Sequence, residues 1–231
     1  MSPRSPIDSI VATTRGDDGT TGLLFGGERI AKDDPRTEAY GTIDEAVAAL
    51  GMARATLGAK RRIGTLPPVL AGLGDLILRV QRELFVVGAE LATNPDAWDR
   101  LEDGRTRVSA GMVAGIEAIL VETEAAITMP TEFVVPGETV TSAALEQART
   151  ILRRAERRAV GLRRAGFVPG DHLIPYLNRL ADLLWVLARA AEQAESRRAT
   201  PARREPRTGT RARAVGGTTA VRASNAPGGP R

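Results

Sequence analysis

Five segments with apolar residues at helical spacing make up most of the chain, and they constrain its fold more than any other feature. In each segment the apolar side chains recur every three or four residues, so a helix would gather them on one stripe. The spacing predicts helices at about 36–57, 68–93, 109–128, 139–165 and 172–197. Mostly short connections favour antiparallel neighbours in one bundle. We therefore predict an all-α fold, a five-helix bundle with ferritin-like up-down packing, and no sheet.

Turn-forming and capping residues set the predicted helix ends. Gly58 should end the first helix, ahead of a Pro-Pro pair, and Asn94 with the proline after it should end the second. Ser109 has the side chain of an N-cap for the third helix. Residues 129–137, MPTEFVVPG, are predicted to form an extended connector. The predicted inward row of the fourth helix consists of Leu145, Ala148, Leu152, Ala155, Ala159 and Leu162.

The amino-acid composition excludes several classes of fold and of site. Aromatic residues make up only 3% of the chain and alanine recurs throughout, which favours packed helices over a β-sandwich. The absence of cysteine excludes a disulfide framework, a thiolate zinc site, an iron–sulfur cluster and a cysteine nucleophile. The single histidine, His172, cannot by itself form a histidine-rich metal site. We therefore predict no metal site built from protein ligands.

Charge is divided unevenly along the chain. Residues 197–231 contain nine arginines and one acidic residue, a charge of +8, so the net +4 of the whole chain leaves about −4 for the other 196 residues. We predict a disordered Arg-rich tail at 197–231, a disordered N-terminus at 1–10 and one folded domain at 11–196. The N-terminus lacks the apolar core of a signal peptide, and no run reaches the roughly 18 apolar residues of a membrane span. We expect a cytoplasmic protein without a membrane partner.

The loop GDDGTTG, residues 16–22, suggests phosphate binding. Glycines let backbone N–H groups approach an anion, and the two threonines add hydroxyl donors. No Gly-Lys-Ser/Thr follows, so it is not a P-loop. Arg29 and Lys32 behind it favour an anion site, although Asp33 and Asp34 could neutralise them. The alternative is a turn-rich surface loop within the predicted ordered segment 11–35.

The segment RTILRRAERR, residues 149–158, holds five arginines in ten residues. A helix would place Arg149, Arg153 and Arg157 on one face, where like charges repel. Guanidinium groups bind phosphate oxygens bidentately, so this ridge could serve a polyphosphate. The alternative is a set of ion pairs to acidic residues on neighbouring helices. Nucleic acid is not an expected partner, because interleaved aromatic residues are missing and the folded part is acidic.

A third feature is the polar pair Asn178 and Asp182, which lie four residues apart within PYLNRLADLLWVLAR beside an apolar stripe. Such residues often belong to a buried hydrogen-bond network between helices, which is the favoured reading of this segment alone. Their functional use would be to fix a ribose, a base or an arginine.

Taken together, six segments resemble one enzyme family in order and spacing. The segments are RGDDGTT, GERIAKDDPRTEAYGTIDEA, VQRELFVVGAEL, FVVPG, ARTILRRAERRAV and YLNRLADLLWVLAR, and they span roughly residues 11–195. They resemble the PduO-type ATP:cob(I)alamin adenosyltransferases, or corrinoid adenosyltransferases. The resemblance implies a five-helix bundle that assembles as a homotrimer, with ATP and the corrinoid bound at subunit interfaces. It also implies the reaction, in which the Co(I) of a reduced corrinoid attacks the 5′-carbon of ATP and triphosphate leaves.

The resemblance assigns roles to individual positions of this sequence. The residues that match the family's ATP loop are Gly16, Asp17, Thr20, Thr21 and Lys32. Those that match its nucleotide-binding helices are Arg153, Arg154, Glu156, Arg157 and Asn178. Arg149 and Asp44 match a salt bridge between subunits, and Phe133 matches the aromatic residue that crowds the lower face of cobalt. Asp182 matches a structural or orienting position. No role is implied for Arg158, which we expect to be solvated.

The resemblance also implies ligands and partners. ATP is the adenosyl donor, Mg²⁺ accompanies it, and cob(I)alamin or a related corrinoid is the acceptor. A flavin-dependent cob(II)alamin reductase and a B12-dependent acceptor enzyme are the implied partners. The sequence departs from the family where Thr14 and Arg15 exchange their usual types, and where Glu138 and Glu146 replace a frequent glycine and a frequent histidine. The alternative function is a catalytically impaired corrinoid or nucleotide sensor, or an adenosylcobalamin chaperone, on the same bundle.

Overall fold

The structure is a computed structural model that describes residue 9 and residues 11–203. Helices make up most of this part of the chain. The α-helices in that part are α1 (Pro35–Arg62), α2 (Leu73–Ala92), α3 (Ala110–Ala125), α4 (Val140–Arg164) and α5 (Leu173–Ala194). The predicted all-α class is confirmed in this coarse form. None of these helices is long and apolar enough to span a lipid bilayer.

The boundaries of four helices differ from the prediction by more than one residue. The helices α3 and α5 end at Ala125 and Ala194, three residues before the predicted ends at 128 and 197. The first helix does not end at Gly58 but continues to Arg62. A single glycine costs a helix only about 1 kcal/mol relative to alanine, and the adjacent Leu57 is buried in the core. The second predicted helix divides into a 3₁₀ helix, Pro68–Leu70, and α2. The polar loop after α2 contains another 3₁₀ helix, Pro95–Arg100.

Helix caps and apolar stripes account for the way these elements form and pack. Ser109 caps α3 as predicted, because its side chain accepts a hydrogen bond from the Met112 N–H at 3.3 Å. The helix α1 packs against α2 and α4, and α5 packs against α4 and α3. Small alanines on the inward face of α4 alternate with leucines, which lets the helices approach closely. The predicted inward row is confirmed, since all of its members are buried: Leu145, Ala148, Leu152, Ala155, Ala159 and Leu162.

Two short antiparallel strand pairs contradict the prediction that the chain contains no sheet. Strand β1 (Thr20–Thr21) pairs with β2 (Ile30–Ala31), and β3 (Val134–Val135) pairs with β4 (Thr200–Pro201). The strand β4 lies within the segment that was predicted to be disordered from residue 197, so that prediction is wrong for these two residues. The rest of the predicted tail, residues 204–231, lies outside the described residues, as does most of the predicted disordered N-terminus.

Candidate functional site

The glycine-rich loop is the turn that leads into β1. The Gly19 N–H donates to the Gly16 carbonyl at 3.2 Å, and Gly19 has φ +78°, a conformation that glycine adopts without strain. The Asp18 carboxylate accepts hydrogen bonds from the Thr20 N–H at 2.9 Å and from the Thr20 hydroxyl at 2.8 Å. These bonds lower the pKa of Asp18, the backbone bond most. The loop is thus an ordered turn on a strand pair.

The two cations behind this loop have different partners. Arg29 donates to the Arg15 carbonyl at 2.7 Å, to the Thr20 carbonyl at 2.9 Å and to the Thr20 hydroxyl at 2.7 Å, so its guanidinium holds the loop together. Lys32 lies directly against Gly16, where any side chain would place its Cβ 2.9 Å from the Lys32 Nζ. Within the described residues the Lys32 ammonium has no ion-pair partner. It is therefore the cation of this loop that is available to an anion.

Asp34 does not neutralise Lys32. Its carboxylate caps α1 by accepting the Arg36 N–H at 2.8 Å, and it also pairs with the Arg36 guanidinium at 2.9 and 3.0 Å. The Arg36 side-chain bond lowers the pKa of Asp34. The guanidinium of Arg36 in turn lies 5.0 Å from the centre of the Phe167 ring.

Three of the five arginines in 149–158 are used in ion pairs within the chain. Arg149 Nε donates to Glu146 at 2.6 Å on the same helix, and Arg154 pairs with Glu45 of α1. Arg158 pairs with Glu38 of α1 at 2.7 Å. The ion-pair alternative therefore describes these three side chains, and two of them join α4 to α1.

Arg158 was expected to be solvated, and that expectation is wrong. Only 34% of its side chain is exposed, and besides the ion pair it donates to the Glu38 carbonyl at 3.2 Å and to the Thr42 hydroxyl. The reason is its position on the helix, one turn after Arg154 on the face of α4 that meets α1.

Arg153 and Arg157 form a free cationic face on α4. Both are exposed, and among the described residues neither guanidinium has an acidic partner. Arg157 Nη1 donates to the Arg153 carbonyl at 3.1 Å, one turn back. Two positive charges therefore face outward side by side without compensation, which is an arrangement suited to an anion with several charges.

Asn178 takes part in a polar chain that crosses three helices. Its amide nitrogen donates to Glu156 of α4 at 3.3 Å, and its oxygen accepts from Arg179 at 2.7 Å. Arg179 Nε in turn donates to the carboxylate of Glu117 of α3 at 3.1 Å. The predicted packing network thus exists around Asn178. Asp182 is exposed and has no partner among the described residues, so it lies outside this network.

Among the described residues, the side chains of Asp44 and Phe133 make no hydrogen bond or ion pair to the other predicted site residues. Asp44 is exposed on α1 and has no partner in the described part of the chain, at the rim of an apolar cavity of about 300 Å³ that Tyr40 and Phe85 also line. Phe133 is 89% exposed on the connector between α3 and α4. The segment that precedes α1 and the helix α4 do lie close together. Asp34 of that segment and Arg158 of α4 line the same cavity, which has a volume of about 570 Å³.

The sequence reading missed a buried charge cluster that adjoins Arg149. Arg189 of α5 is 1% exposed and contacts Glu192 at 2.8 Å and Glu146 at 3.3 Å. Glu146 thus binds Arg189 with one oxygen and Arg149 with the other. The only signal in the sequence was the i,i+3 spacing of Arg189 and Glu192 on an apolar helix.

Among the described residues no cluster of three acidic, histidine or cysteine side chains is arranged to hold a metal ion.

Comparisons with known proteins all point in one direction. The family model for cobalamin adenosyltransferase matches residues 11–191. A corrinoid adenosyltransferase of Citrobacter freundii is 37% identical over 182 residues, which cover 79% of this chain and 94% of that protein. One from Mycobacterium tuberculosis is 36% identical over 187 residues, with 78% and 88% covered. The PduO protein of Salmonella typhimurium is 35% identical over 182 residues, but this region is only 49% of its length.

Solved structures agree with the sequence relatives. A variant PduO-type ATP:corrinoid adenosyltransferase from Lactobacillus reuteri complexed with ATP has a TM-score of 0.71 and 27% identity, with 84% of this chain and 100% of that chain covered. A second variant, complexed with cobalamin and ATP, has a TM-score of 0.70 and 27% identity, with 83% and 98% covered.

Proposed function

This chain belongs to the cobalamin adenosyltransferase family, and we propose how its residues carry out the family's reaction. The enzyme transfers the 5′-deoxyadenosyl group of ATP to the Co(I) of a reduced corrinoid. The cobalt electron pair forms a Co–C bond to C5′, the C5′–O bond breaks, and its electrons leave with the triphosphate. The corrinoid is itself the nucleophile, so the protein's part is to position the two substrates and to stabilise charge.

The observation that supports this division of labour is the free cationic face of α4. Triphosphate gains negative charge as it leaves, and two guanidinium groups without acidic partners can meet that charge with bidentate hydrogen bonds. We assign this role to Arg153 and Arg157. Arg154 would have to exchange Glu45 for phosphate, so in this chain its first role is to hold α4 against α1.

The glycine-rich loop supplies the second half of the ATP site. Gly16 and Thr20 lie on the ordered turn, and Lys32 presses its ammonium group against the backbone of Gly16. We propose that the phosphates bind the Lys32 ammonium and the Thr21 hydroxyl there. The Thr20 N–H and hydroxyl would join them by exchanging the Asp18 carboxylate for phosphate, and Asp17, whose N–H donates to the Thr14 carbonyl at 3.2 Å, would shape the turn. The polar chain from Glu156 through Asn178 would orient the nucleoside end. These residue roles rest on the contacts above and on the family resemblance.

Mg²⁺ fits this site as a companion of ATP. Mg²⁺ prefers phosphate oxygens and water and is commonly held by only one or two carboxylates. Since the described residues offer no cluster of three ligands, we propose that the phosphates bring the ion, and we assign it no separate step.

We further propose that the helices form an up-down five-helix bundle and that three copies assemble with the active sites at their interfaces. Asp44 supports this, because it is exposed and has no partner within the described residues. Arg149 uses only its Nε on Glu146, so its two terminal nitrogens can pair with the Asp44 of a neighbouring copy. Phe133, 89% exposed in the single chain, would crowd the lower face of the corrinoid and favour loss of its lower axial ligand. A cytoplasmic location, a cob(II)alamin reductase and a B12-dependent acceptor enzyme remain predictions.

The experiment that tests the function uses the full chain with chemically reduced cobalamin and MgATP. The visible spectrum should change from that of cob(I)alamin to that of adenosylcobalamin, with one triphosphate released per product. Release of ADP instead would mean phosphoryl transfer and would contradict the proposal. Binding of adenosylcobalamin without turnover would support the sensor or chaperone alternative, which the comparisons do not favour.

A further inference from the structure

The chain returns, after α5, to the connector that carries Phe133. Strand β4 pairs antiparallel with β3, with Thr200 opposite Val135 and Pro201 opposite Val134. The Ala202 N–H then donates to the Phe133 carbonyl at 2.7 Å. Residues 200–202 therefore hold the backbone of the connector from Phe133 through Val135.

A side-chain contact strengthens this attachment. The Thr200 hydroxyl is hydrogen-bonded to the carboxylate of Glu138, which stands where the family frequently has glycine. The bond joins the C-terminal segment to the last residues before α4. Glycine at position 138 would have no carboxylate to make it, so this contact depends on the glutamate found there in this chain.

The connector needs such a restraint because little else fixes Phe133. With 89% of its surface exposed, the phenyl ring is not held by packing against the core. Gly137, four residues later, has φ +129°, a conformation that glycine adopts readily because it has no Cβ, so no side chain restricts the backbone there. An unrestrained connector lets the ring occupy many positions. Fixing the ring in one of them when a ligand binds costs conformational entropy, which weakens binding.

We propose that residues 200–203 are a positioning element for Phe133, so that the segment after α5 belongs to the corrinoid site. This inference rests on the proposed role of Phe133 and adds the means by which its backbone is held. Arg203 lines, together with Phe133 and Ala202, a cavity of about 420 Å³. The arginines that follow residue 203 in the sequence are not required for this role.

Two truncations separate this segment from the rest of the tail. A chain that ends after Arg203 keeps β4 and should retain kcat within about twofold. A chain that ends after Ala199 loses β4, and its kcat should fall about ten- to hundredfold, since a displacement of about 1 Å costs that much. The KM for ATP should stay unchanged, because no proposed ATP contact lies in the segment. Circular dichroism and the melting temperature report whether the bundle is intact.

A point substitution tests the single bond at Phe133. Ala202→Pro removes the donating N–H and keeps an extended backbone, whereas the control Ala202→Ser keeps the N–H. With cob(II)alamin and MgATP, the visible spectrum that marks loss of the lower axial ligand should weaken in Ala202→Pro and in the chain ending after Ala199. It should be unchanged in Ala202→Ser and in the chain ending after Arg203.

Phe133→Ala distinguishes the ways in which the reasoning can fail. If Phe133→Ala loses the spectral change while both disruptions of β4 keep it, the positioning role of residues 200–203 is overturned and the role of Phe133 stands. If Phe133→Ala itself keeps the spectrum and the rate, the role of Phe133 is wrong and the inference falls with it. A full chain with no adenosyl transfer at all would instead refute the proposed function.

Discussion

Replacement of Arg153 by glutamine should separate catalysis from stability in this enzyme. The guanidinium of Arg153 is exposed and has no acidic partner in the described part of the chain, so its removal breaks no ion pair there. Arg149 and Arg157 lie four residues before and after it on α4, and like charges one turn apart destabilise a helix by about 0.2–0.5 kcal/mol. Arg153→Gln should therefore leave the melting temperature unchanged or raise it slightly.

The rate of adenosyl transfer should respond much more strongly. Loss of one preorganised donor to a developing negative charge typically costs about 10²–10³-fold in kcat, or about 2.7–4 kcal/mol. The assay follows adenosylcobalamin formation from cob(I)alamin at saturating MgATP, with the melting temperature measured on the same samples. Arg164→Gln is the matched control, because Arg164 is exposed near the end of the same helix.

Arg158→Gln should give the opposite result. It removes an ion pair to Glu38 and hydrogen bonds to Thr42 and to the Glu38 carbonyl. Because both charged partners are partly exposed, the ion pair itself contributes at most about 1 kcal/mol, and the whole set about 1–2 kcal/mol. The melting temperature should fall by about 3–6 °C with kcat largely kept. The assignment of the two faces is refuted if Arg153→Gln lowers the melting temperature and keeps kcat. It is also refuted if Arg158→Gln keeps the melting temperature and lowers kcat.

Three other predictions follow from the contacts of the site and core. Gly16→Ala should raise the KM for ATP about tenfold or more, because the new Cβ would force the Lys32 ammonium away; an unchanged KM would argue against that contact. Asp44→Asn should weaken assembly in light scattering if its carboxylate pairs with Arg149 of a neighbouring copy, and an equally stable trimer would contradict the pair. Burial raises the pKa of Glu90, so the fold favours its protonated, neutral form. The stabilisation is fully present below pH about 4.5, where the side chain is protonated in the folded and the unfolded state, and it is lost as the pH rises through the raised pKa. The melting temperature of the wild type relative to Glu90→Gln should therefore fall from pH 4 to pH 7, and a constant difference would rule out this titration.

The sequence predicted the helices well because apolar periodicity is strong over long segments. It missed the end of α1 because a lone glycine such as Gly58 reads as a break, while the burial of Leu57 beside it outweighs the local cost. It missed the strand pairs because two residues cannot display the alternation by which strands are identified. Thr200–Pro201 in particular lies in a region whose composition is typical of disorder.

The sequence predicted which residue types make up the candidate site, but it did not predict which arginines form ion pairs within the chain. Helical spacing placed Arg153 and Arg157 on one face, and the structure leaves both without acidic partners among the described residues. It could not separate them from Arg158, because the deciding partner, Glu38, lies 120 residues earlier in the sequence. The burial of Arg189 was likewise unpredictable, since it depends on how α4 and α5 face each other.

The free cationic face of α4 also bears on how a catalytic cycle ends. Two uncompensated guanidinium groups attract the released triphosphate more strongly than they attract the phosphates of ATP, because the same oxygens meet them and carry more negative charge once the C5′–O bond has broken. Triphosphate should therefore remain bound after transfer and compete with incoming ATP. Release of triphosphate, rather than formation of the cobalt–carbon bond, should then limit kcat. Because salt screens the attraction between the guanidinium groups and triphosphate, kcat should depend on ionic strength.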